Sequence, residues 1–485
     1  MFLATFGLCL IVRLSTLGHL SLWSDETITA RVIAGTWPDL VADRLANGHF
    51  PSYFALLKAL GLAGADEFWL RLPSAILDSL AGGLVALVAL RLSGRAGALA
   101  AAFLYAFYPA LIQYGQEARP YALMLAFLAL AITGQIGLLT DSASPRRQAV
   151  IATIGTLGAA LAMPAGIVSV AMQHLALLAC GFRKFEPREK RLWIRHIVVT
   201  WAGIALAAAW LIPAVLEQAQ KPVGLMKWQS ALPSSFRIRE AFEETYGLVV
   251  PRDIQRFLPE EWTVPLALAL LALMAIGLIA NRERRPHRML AFSAFLTPLV
   301  FLVLGAFSAS AGRYLIGMLP AAILLAAAGV AALTADRGMR LAIGATLALL
   351  GAGLLLQALD MLVSPRKFDW RPVAAFLHES GVRDTTILAD ASSVESALRH
   401  YAAASDGLTF ETLDPDRDSI ATLWARASDR PLAFLVIGAH QTVPAGLASD
   451  ATVCTFPFGD VKAILVARDT NAIPPALRGC APAME

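Results

Sequence analysis

Apolar residues recur along the chain in windows of about 20, the length a helix needs to cross the hydrocarbon core of a bilayer. Such windows lie near 2–20, 70–90, 96–114, 121–139, 148–163, 166–182, 197–215, 263–280, 289–307, 314–333 and 341–360. They predict about eleven transmembrane helices, although the pair flanking "MPAG" (163–166) also reads as one broken helix. The pattern changes beyond residue 360. "WRPVAAFLHESG" places apolar residues at helical spacing, while "TTILAD", "PLAFLVIG", "ATVCTFPF" and "KAILVAR" read as short strands. Helical patterns at 393–403 and 417–427 fall between some of them. The expected architecture is a polytopic α-helical membrane domain over 1–360 and a small C-terminal α/β domain over 361–485.

Composition agrees. Hydrophobic residues make up 57% of the 485 and charged residues 16%, against roughly 25% charged in a soluble domain. The first apolar run lacks a basic n-region and an A-x-A-like site, so it reads as a retained helix rather than a signal peptide. The absence of basic residues ahead of it suggests a start a few residues upstream. Connections between the windows divide by charge. "RLSGR" (91–95), "DSASPRRQ" (141–148), "FRKFEPREKRLWIRH" (182–196), "NRERRPHR" (281–288) and "TADRGMR" (334–340) are arginine-rich and are expected on the cytoplasmic side. The 21–69 segment, "YGQEARPY" (114–121), "MPAG", the 216–262 segment and "SASAGRY" (308–314) then face outward. An odd number of spans puts the N-terminus in the cytoplasm and the C-terminal domain outside.

This sorting gathers the unusual polar residues on one face. "LWSDETITA" (22–30) sets Asp25 and Glu26 just beyond the first span. A carboxylate at the lipid–water boundary, partly shielded, can act as a general base; equally, Ser24 or Asp25 can cap a helix starting near Thr27. The following residues, with Trp37, His49, Pro51 and Tyr53, suit one or two interfacial helices. "QYGQEARPYAL" (113–123) puts Glu117 and Arg119 at a junction of two spans, with Pro120 and Tyr121 opening the second. Arginine recognises phosphate through planar, multidentate hydrogen bonds, but a Glu–Arg pair can also simply tie two helices. Arg71 stands at the entrance of the second span and Arg313, followed by Tyr314, at the entrance of the tenth; Arg13 lies inside the first. Each arginine alone reads as a snorkelling anchor. Together with two carboxylates on one face they suit an anionic lipid head group.

Other features exclude more than they suggest. The basic run at 182–191, by its position between two spans and its mixture of charges, fits topology and anionic lipid rather than nucleic acid. No Walker A, dinucleotide-binding or HExxH motif is present. His174 is expected to make an interhelical hydrogen bond. Of the four cysteines, Cys454 and Cys480 share the C-terminal segment, where they can form a disulfide if that segment is exported.

Taken in order, "LWSDE", "NGHFPSYFALL", "FWLRLPSAIL", "YGQEARPYAL" and "GRYLIGMLPA" resemble the bacterial glycosyltransferases of the GT-C superfamily. The similarity is greatest to glycosyltransferase family 39, which has the protein mannosyltransferases and the lipid A aminoarabinose transferase as relatives. The resemblance covers about residues 1–360. It implies a bacterial inner-membrane enzyme that takes a sugar from a polyprenyl-phosphate donor and passes it, with inversion, to an acceptor hydroxyl on a lipid, glycan or protein at the outer face. It implies Asp25 as the base and Glu26 as a group that positions the sugar or acceptor. Arg119, backed by Arg71, Arg313 and Arg13, would meet the leaving phosphate. Glu117, Tyr121, His49 and Tyr314 are the implied further substrate contacts. The chain departs from the pattern at "HFPSY", where Phe50 stands in place of a proline after the histidine. Metal dependence varies across the superfamily; with one adjacent carboxylate pair and no clear third ligand, no metal or other cofactor is expected, a divalent metal being the open alternative. Two other classes fit the sequence less well: a transporter or flippase for an anionic lipid or glycan, and a non-catalytic scaffold in which the carboxylates are caps.

Overall fold

A computed structural model describes residues 1–140, 144–179, 186–213, 216, 262–303, 312–335, 340–363, 368–383, 385–389, 392–402, 407–412, 425–427, 430–438, 452–458 and 461–478. The expected outward segment at 216–262 apart from its two end residues, most of "SASAGRY", and the helical pattern at 417–424 lie outside the described residues. The chain forms two compact units. One comprises Met1–Leu17 and Gly35–Arg366, the other Gly18–Ala34 and Lys367–Glu485.

The first unit is helical, and each apolar window contains a helix. Five are long and apolar enough to cross a membrane: Glu67–Phe107, Tyr121–Leu139, Pro187–Ala208, Ile316–Leu333 and Gly344–Val363. Phe2–Leu14, Pro164–Ala179 and Val264–Ala280 are shorter apolar helices. The run Glu67–Phe107 is two helices meeting at Gly94, whose positive φ of 69° breaks the helix inside the predicted "RLSGR" connection. At "MPAG" the chain forms two helices, Pro145–Ala162 and Pro164–Ala179, separated by extended Met163. The predicted basic connection at 182–196 overlaps the helix Pro187–Ala208. Pro187 opens that helix, and the Glu189 carboxylate accepts the Glu186 amide at 3.1 Å in a capping box. Two further helices, Trp37–Ala46 and Ser52–Ala59, occupy the predicted interfacial stretch. Thr36 and Asp39 form the capping box of the first.

Small residues bring these helices into contact. A Cβ at Gly82 would lie 2.7 Å from Cys9 Sγ, and one at Gly83 2.8 Å from the Phe2 ring. Only glycine lets Phe2–Leu14 settle this closely on the long helix, the usual logic of helix pairs in lipid. Elsewhere a polar chain links three helices. Trp201 Nε1 donates to His174 Nδ1 at 3.0 Å, which leaves the His174 proton on Nε2, 3.1 Å from His196 Nε2. His196 therefore carries its proton on Nδ1 and donates to Thr153 Oγ1 at 2.9 Å, which donates on to the Ala149 carbonyl. His174 makes the interhelical hydrogen bond expected of it.

In the second unit, strands β1 (Thr386–Ala389), β2 (Thr409–Thr412), β3 (Leu432–Gly438), β4 (Thr452–Phe458) and β5 (Val461–Ala467) form one sheet in the order β2-β1-β3-β5-β4. β1 runs parallel to β2 and β3, and β5 runs antiparallel to β3 and β4. The central strands are buried on both faces. Val373, Leu377, Ile387, Phe434, Val436 and Leu465 pack on one face with helices Arg371–Glu379 and Ser392–Ala402, and Leu388, Leu435, Ile464 and Val466 on the other. Cys454, on β4, is disulfide-bonded; Cys480 lies outside the described residues.

The Arg371–Glu379 helix begins at a charge pair. Burial alone would raise the Asp369 carboxyl, but hydrogen bonds from the Arg371 side chain and backbone, with its charge, hold it below the ordinary carboxylate range. A depressed folded pKa contributes stability above the unfolded value of about 3.9 and loses it as the pH falls through the folded value. Both groups are more than a third exposed, so solvent reduces the effect to about 1 kcal/mol or less. Arg371→Met is therefore expected to lower the melting temperature slightly, and by more at pH 7 than at acid pH, where only its bond to the His19 carbonyl is lost. An equal loss at both pH values would show that the arginine acts only through its other bonds.

Candidate active site

The Asp25–Glu26 pair belongs to the second unit. The chain turns at Trp23, whose carbonyl accepts from the Glu26 and Thr27 amides at 2.8 and 2.9 Å, and continues as helix Ser24–Ala34. Glu26 Oε2 in turn accepts the Trp23 amide at 3.3 Å. Glu26 is therefore a helix cap, and it is fully buried. Capping, which the sequence offered to Ser24 or Asp25, is seen at Glu26. Asp25, one residue earlier, is half-buried in the first turn, where the helix dipole favours negative charge.

The remaining candidates lie in the first unit. Pro109–Gly115 forms a short helix, and Gln116–Pro120 crosses from it to Tyr121–Leu139. The Arg119 amide donates to the Glu117 carbonyl at 2.8 Å, closing the turn, and its half-buried guanidinium lies 5.4 Å from the Tyr121 ring centroid. Tyr121 is buried and packs against Tyr114 at 4.7 Å between ring centroids. Glu117 is buried and accepts from Gln113 Nε2 at 3.4 Å. Arg119 is thus the more exposed member of the predicted Glu117–Arg119 pair.

This turn stands on a buried network that sequence reasoning missed. Arg13 Nε donates to Asp78 Oδ2 at 2.8 Å, its Nη1 to the Ala106 carbonyl and its Nη2 to the Tyr105 carbonyl at 3.0 Å. Tyr105 Oη donates to Asp78 Oδ1 at 3.1 Å. The long helix ends at Phe107, so the Tyr105 and Ala106 carbonyls lack intrahelical donors and Arg13 supplies them. A Cβ at Gly115 would lie 3.0 Å from Asp78 Oδ2, and Gln116 Nε2 donates to the Arg13 carbonyl at 2.8 Å and to Thr16 Oγ1 at 3.0 Å. Arg13, implied by resemblance as a phosphate ligand, is fully enclosed with an ion-pair partner and two carbonyls. That makes it an internal tie. An acid in the middle of "SAILDSLAGG" was the available signal for Asp78, because a charge inside an apolar span needs a partner.

The other candidates belong to the same unit. Arg71 is buried, with Nη1 donating to the Leu17 carbonyl at 3.0 Å. His49 is half-buried and its amide donates to the Arg44 carbonyl at 2.9 Å. Phe50, the departure from the family pattern, is buried beside it. Tyr314 is half-buried in a short helix, Gly312–Leu315; the Arg313 side chain lies outside the described residues. Among the described residues no three His, Cys, Asp or Glu side chains gather as a metal site requires.

No protein-family model and no curated protein sequence matches the chain. Its likenesses are structural. ArnT from Cupriavidus metallidurans in the apo state superposes with a TM-score of 0.62 at 14% identity, covering 98% of each chain. The same protein bound to undecaprenyl phosphate gives 0.55 at 16% identity, with 98% of this chain and 99% of that one covered. The archaeal oligosaccharyltransferase AglB from Archaeoglobus fulgidus, with an inhibitory peptide and a dolichol-phosphate, gives 0.55 at 14%, covering 90% of this chain and 69% of its own. Arabinofuranosyltransferase AftD from Mycobacteria gives 0.54 at 16%, covering 96% of this chain and 40% of its own. With the likeness to ArnT running almost end to end, the chain has the fold of the GT-C glycosyltransferases.

Proposed function

We propose that the chain is an inverting membrane glycosyltransferase that moves a sugar from a polyprenyl-phosphate donor to an acceptor hydroxyl on the outer face of a bacterial inner membrane. The observation that carries this reading is the near full-length likeness to ArnT, a protein captured with undecaprenyl phosphate. The acceptor oxygen attacks the anomeric carbon as the bond from that carbon to the phosphate oxygen breaks. Asp25, the less buried carboxylate of its pair, takes the hydroxyl proton. The lipid phosphate leaves as an anion and needs positive charge more than a proton. Arg119 supplies it from a turn pinned by its own backbone and by the Tyr121 ring. Glu26 holds the helix that carries Asp25. The disulfide at Cys454 supports placing the second unit in an oxidising compartment, in agreement with the charge asymmetry of the connections.

Lipid binding tests this reading directly. The purified protein in nanodiscs is expected to bind undecaprenyl phosphate saturably, and Arg119→Met to weaken binding by roughly ten- to a hundredfold, the value of one charge-assisted hydrogen bond. Competition of a labelled undecaprenyl phosphate would measure both. Failure of the wild-type protein to bind undecaprenyl phosphate or any sugar-loaded form of it would overturn the proposal.

A further inference from the structure

The segment bearing Asp25 is built into the C-terminal unit, although more than 330 residues separate them in sequence. Hydrogen bonds between described residues join them, that from Ser21 Oγ to the Phe368 carbonyl at 3.3 Å among them. Arg371 Nη2 donates to the His19 carbonyl at 2.6 Å, and the Trp370 amide donates to Ser21 Oγ at 3.0 Å. The Leu22 amide donates to Tyr401 Oη at 2.6 Å. Thr27 Oγ1 and Ser396 Oγ lie 2.8 Å apart. The Thr27 hydroxyl hydrogen already goes to the Ser24 carbonyl at 2.8 Å, so in this last pair Ser396 is the donor.

The last two bonds have a geometric consequence. Leu22 and Thr27 are five residues apart, as are Tyr401 and Ser396, and the pairing is crossed, so the two segments run antiparallel. Contacts at both ends of such a span fix translation along the helix and rotation about it. Asp25 lies between them, two residues before Thr27, and at 3.6 residues per turn is rotated by roughly 200° from it. The Ser392–Ala402 helix therefore grips one face of the Ser24–Ala34 helix and leaves Asp25 on the other.

We propose that Tyr401 and Ser396 are positioning residues for Asp25, making the C-terminal domain a working part of the transfer machinery. The inference rests on Asp25 being the base. Displacing a reacting group by about 1 Å can cost on the order of a hundredfold in rate. The double variant Tyr401→Phe, Ser396→Ala removes one acceptor and one donor without emptying the interface.

The experiment compares wild type, the double variant, Ser396→Thr and Asp25→Asn in nanodiscs. It measures kcat and KM on undecaprenyl-phosphate sugars, affinity for undecaprenyl phosphate, melting temperature and hydrogen exchange over residues 19–30. The double variant is expected to lose about ten- to a hundredfold in kcat and to exchange faster over 19–30. Its KM, lipid affinity and melting temperature should stay those of wild type, and Ser396→Thr, which keeps the donor, should stay close to wild type in kcat as well. An unchanged kcat in the double variant, with Asp25→Asn inactive, would overturn the positioning role alone. A rate loss matched by lost lipid affinity or lowered melting temperature would reduce the contacts to structure and overturn it too. Asp25→Asn as active as wild type would instead remove the base assignment beneath it. If no donor turns over, unchanged exchange over 19–30 would still overturn the clamp.

Discussion

Asp25→Asn is expected to lower transfer by about a hundred- to ten-thousandfold, the usual worth of a positioned general base, while leaving affinity for undecaprenyl phosphate unchanged. Asparagine matches aspartate in size and still accepts hydrogen bonds, so the helix and its anchors persist; it cannot take a proton. Glu26→Gln separates the two carboxylates. A glutamine oxygen can still accept the Trp23 amide that Glu26 now holds at 3.3 Å, so most of the rate should remain. Release of polyprenyl phosphate from a panel of undecaprenyl-phosphate sugars, each with its acceptor, measures both variants. Turnover by Asp25→Asn within a few fold of wild type would sink the base assignment. A much larger loss in Glu26→Gln than in Asp25→Asn would transfer the role to the buried carboxylate.

Why the adjacent acids differ could not be read from "SDET". Both residues suit a first helical turn. The distinction depends on which side chain folds back on the chain, and that depends on the helix beginning at Ser24 rather than near Thr27. The apolar windows, by contrast, were legible because a bilayer leaves a segment of about 20 residues little choice but helix. Gly94 and Met163 mark breaks where the sequence shows a basic connection and a "MPAG" turn. In the sheet, β1, β3, β4 and β5 announce themselves as apolar runs. β2, "TFET", does not, being a four-residue edge strand with a single apolar residue, Phe410, and no fully buried position. Long-range pairing was invisible altogether. Nothing local to Tyr401 points to Leu22, and nothing local to Asp78 points to Arg13. The sequence therefore groups Arg13 with the phosphate ligands, whereas its surroundings make it a tie.

That tie leads to the second large effect. Arg13→Met and Asp78→Leu are each expected to destabilise the protein by about 3–5 kcal/mol, because each leaves the partner's charge buried and unpaired. The double variant should lose less than the sum of the two, since removing both charges removes the main penalty. It will not return to wild type: the Tyr105 and Ala106 carbonyls lose the donors that finish the long helix, and Tyr105 Oη loses Asp78. Thermal unfolding in one detergent gives the cycle. Additive losses would mean that the 2.8 Å contact carries no coupling. The same variants also divide a structural from a ligand role for Arg13. A tie predicts lower stability, with undecaprenyl phosphate affinity unchanged in protein that remains folded below its melting point. A phosphate ligand predicts the reverse, weakened binding at full stability. Because Gly115 leans on Asp78 and Gln116 on the Arg13 carbonyl, a third pattern has its own meaning. Lost stability accompanied by an affinity loss no greater than that of Arg119→Met would show that the network acts through the turn it supports, by holding Arg119 rather than by touching the lipid.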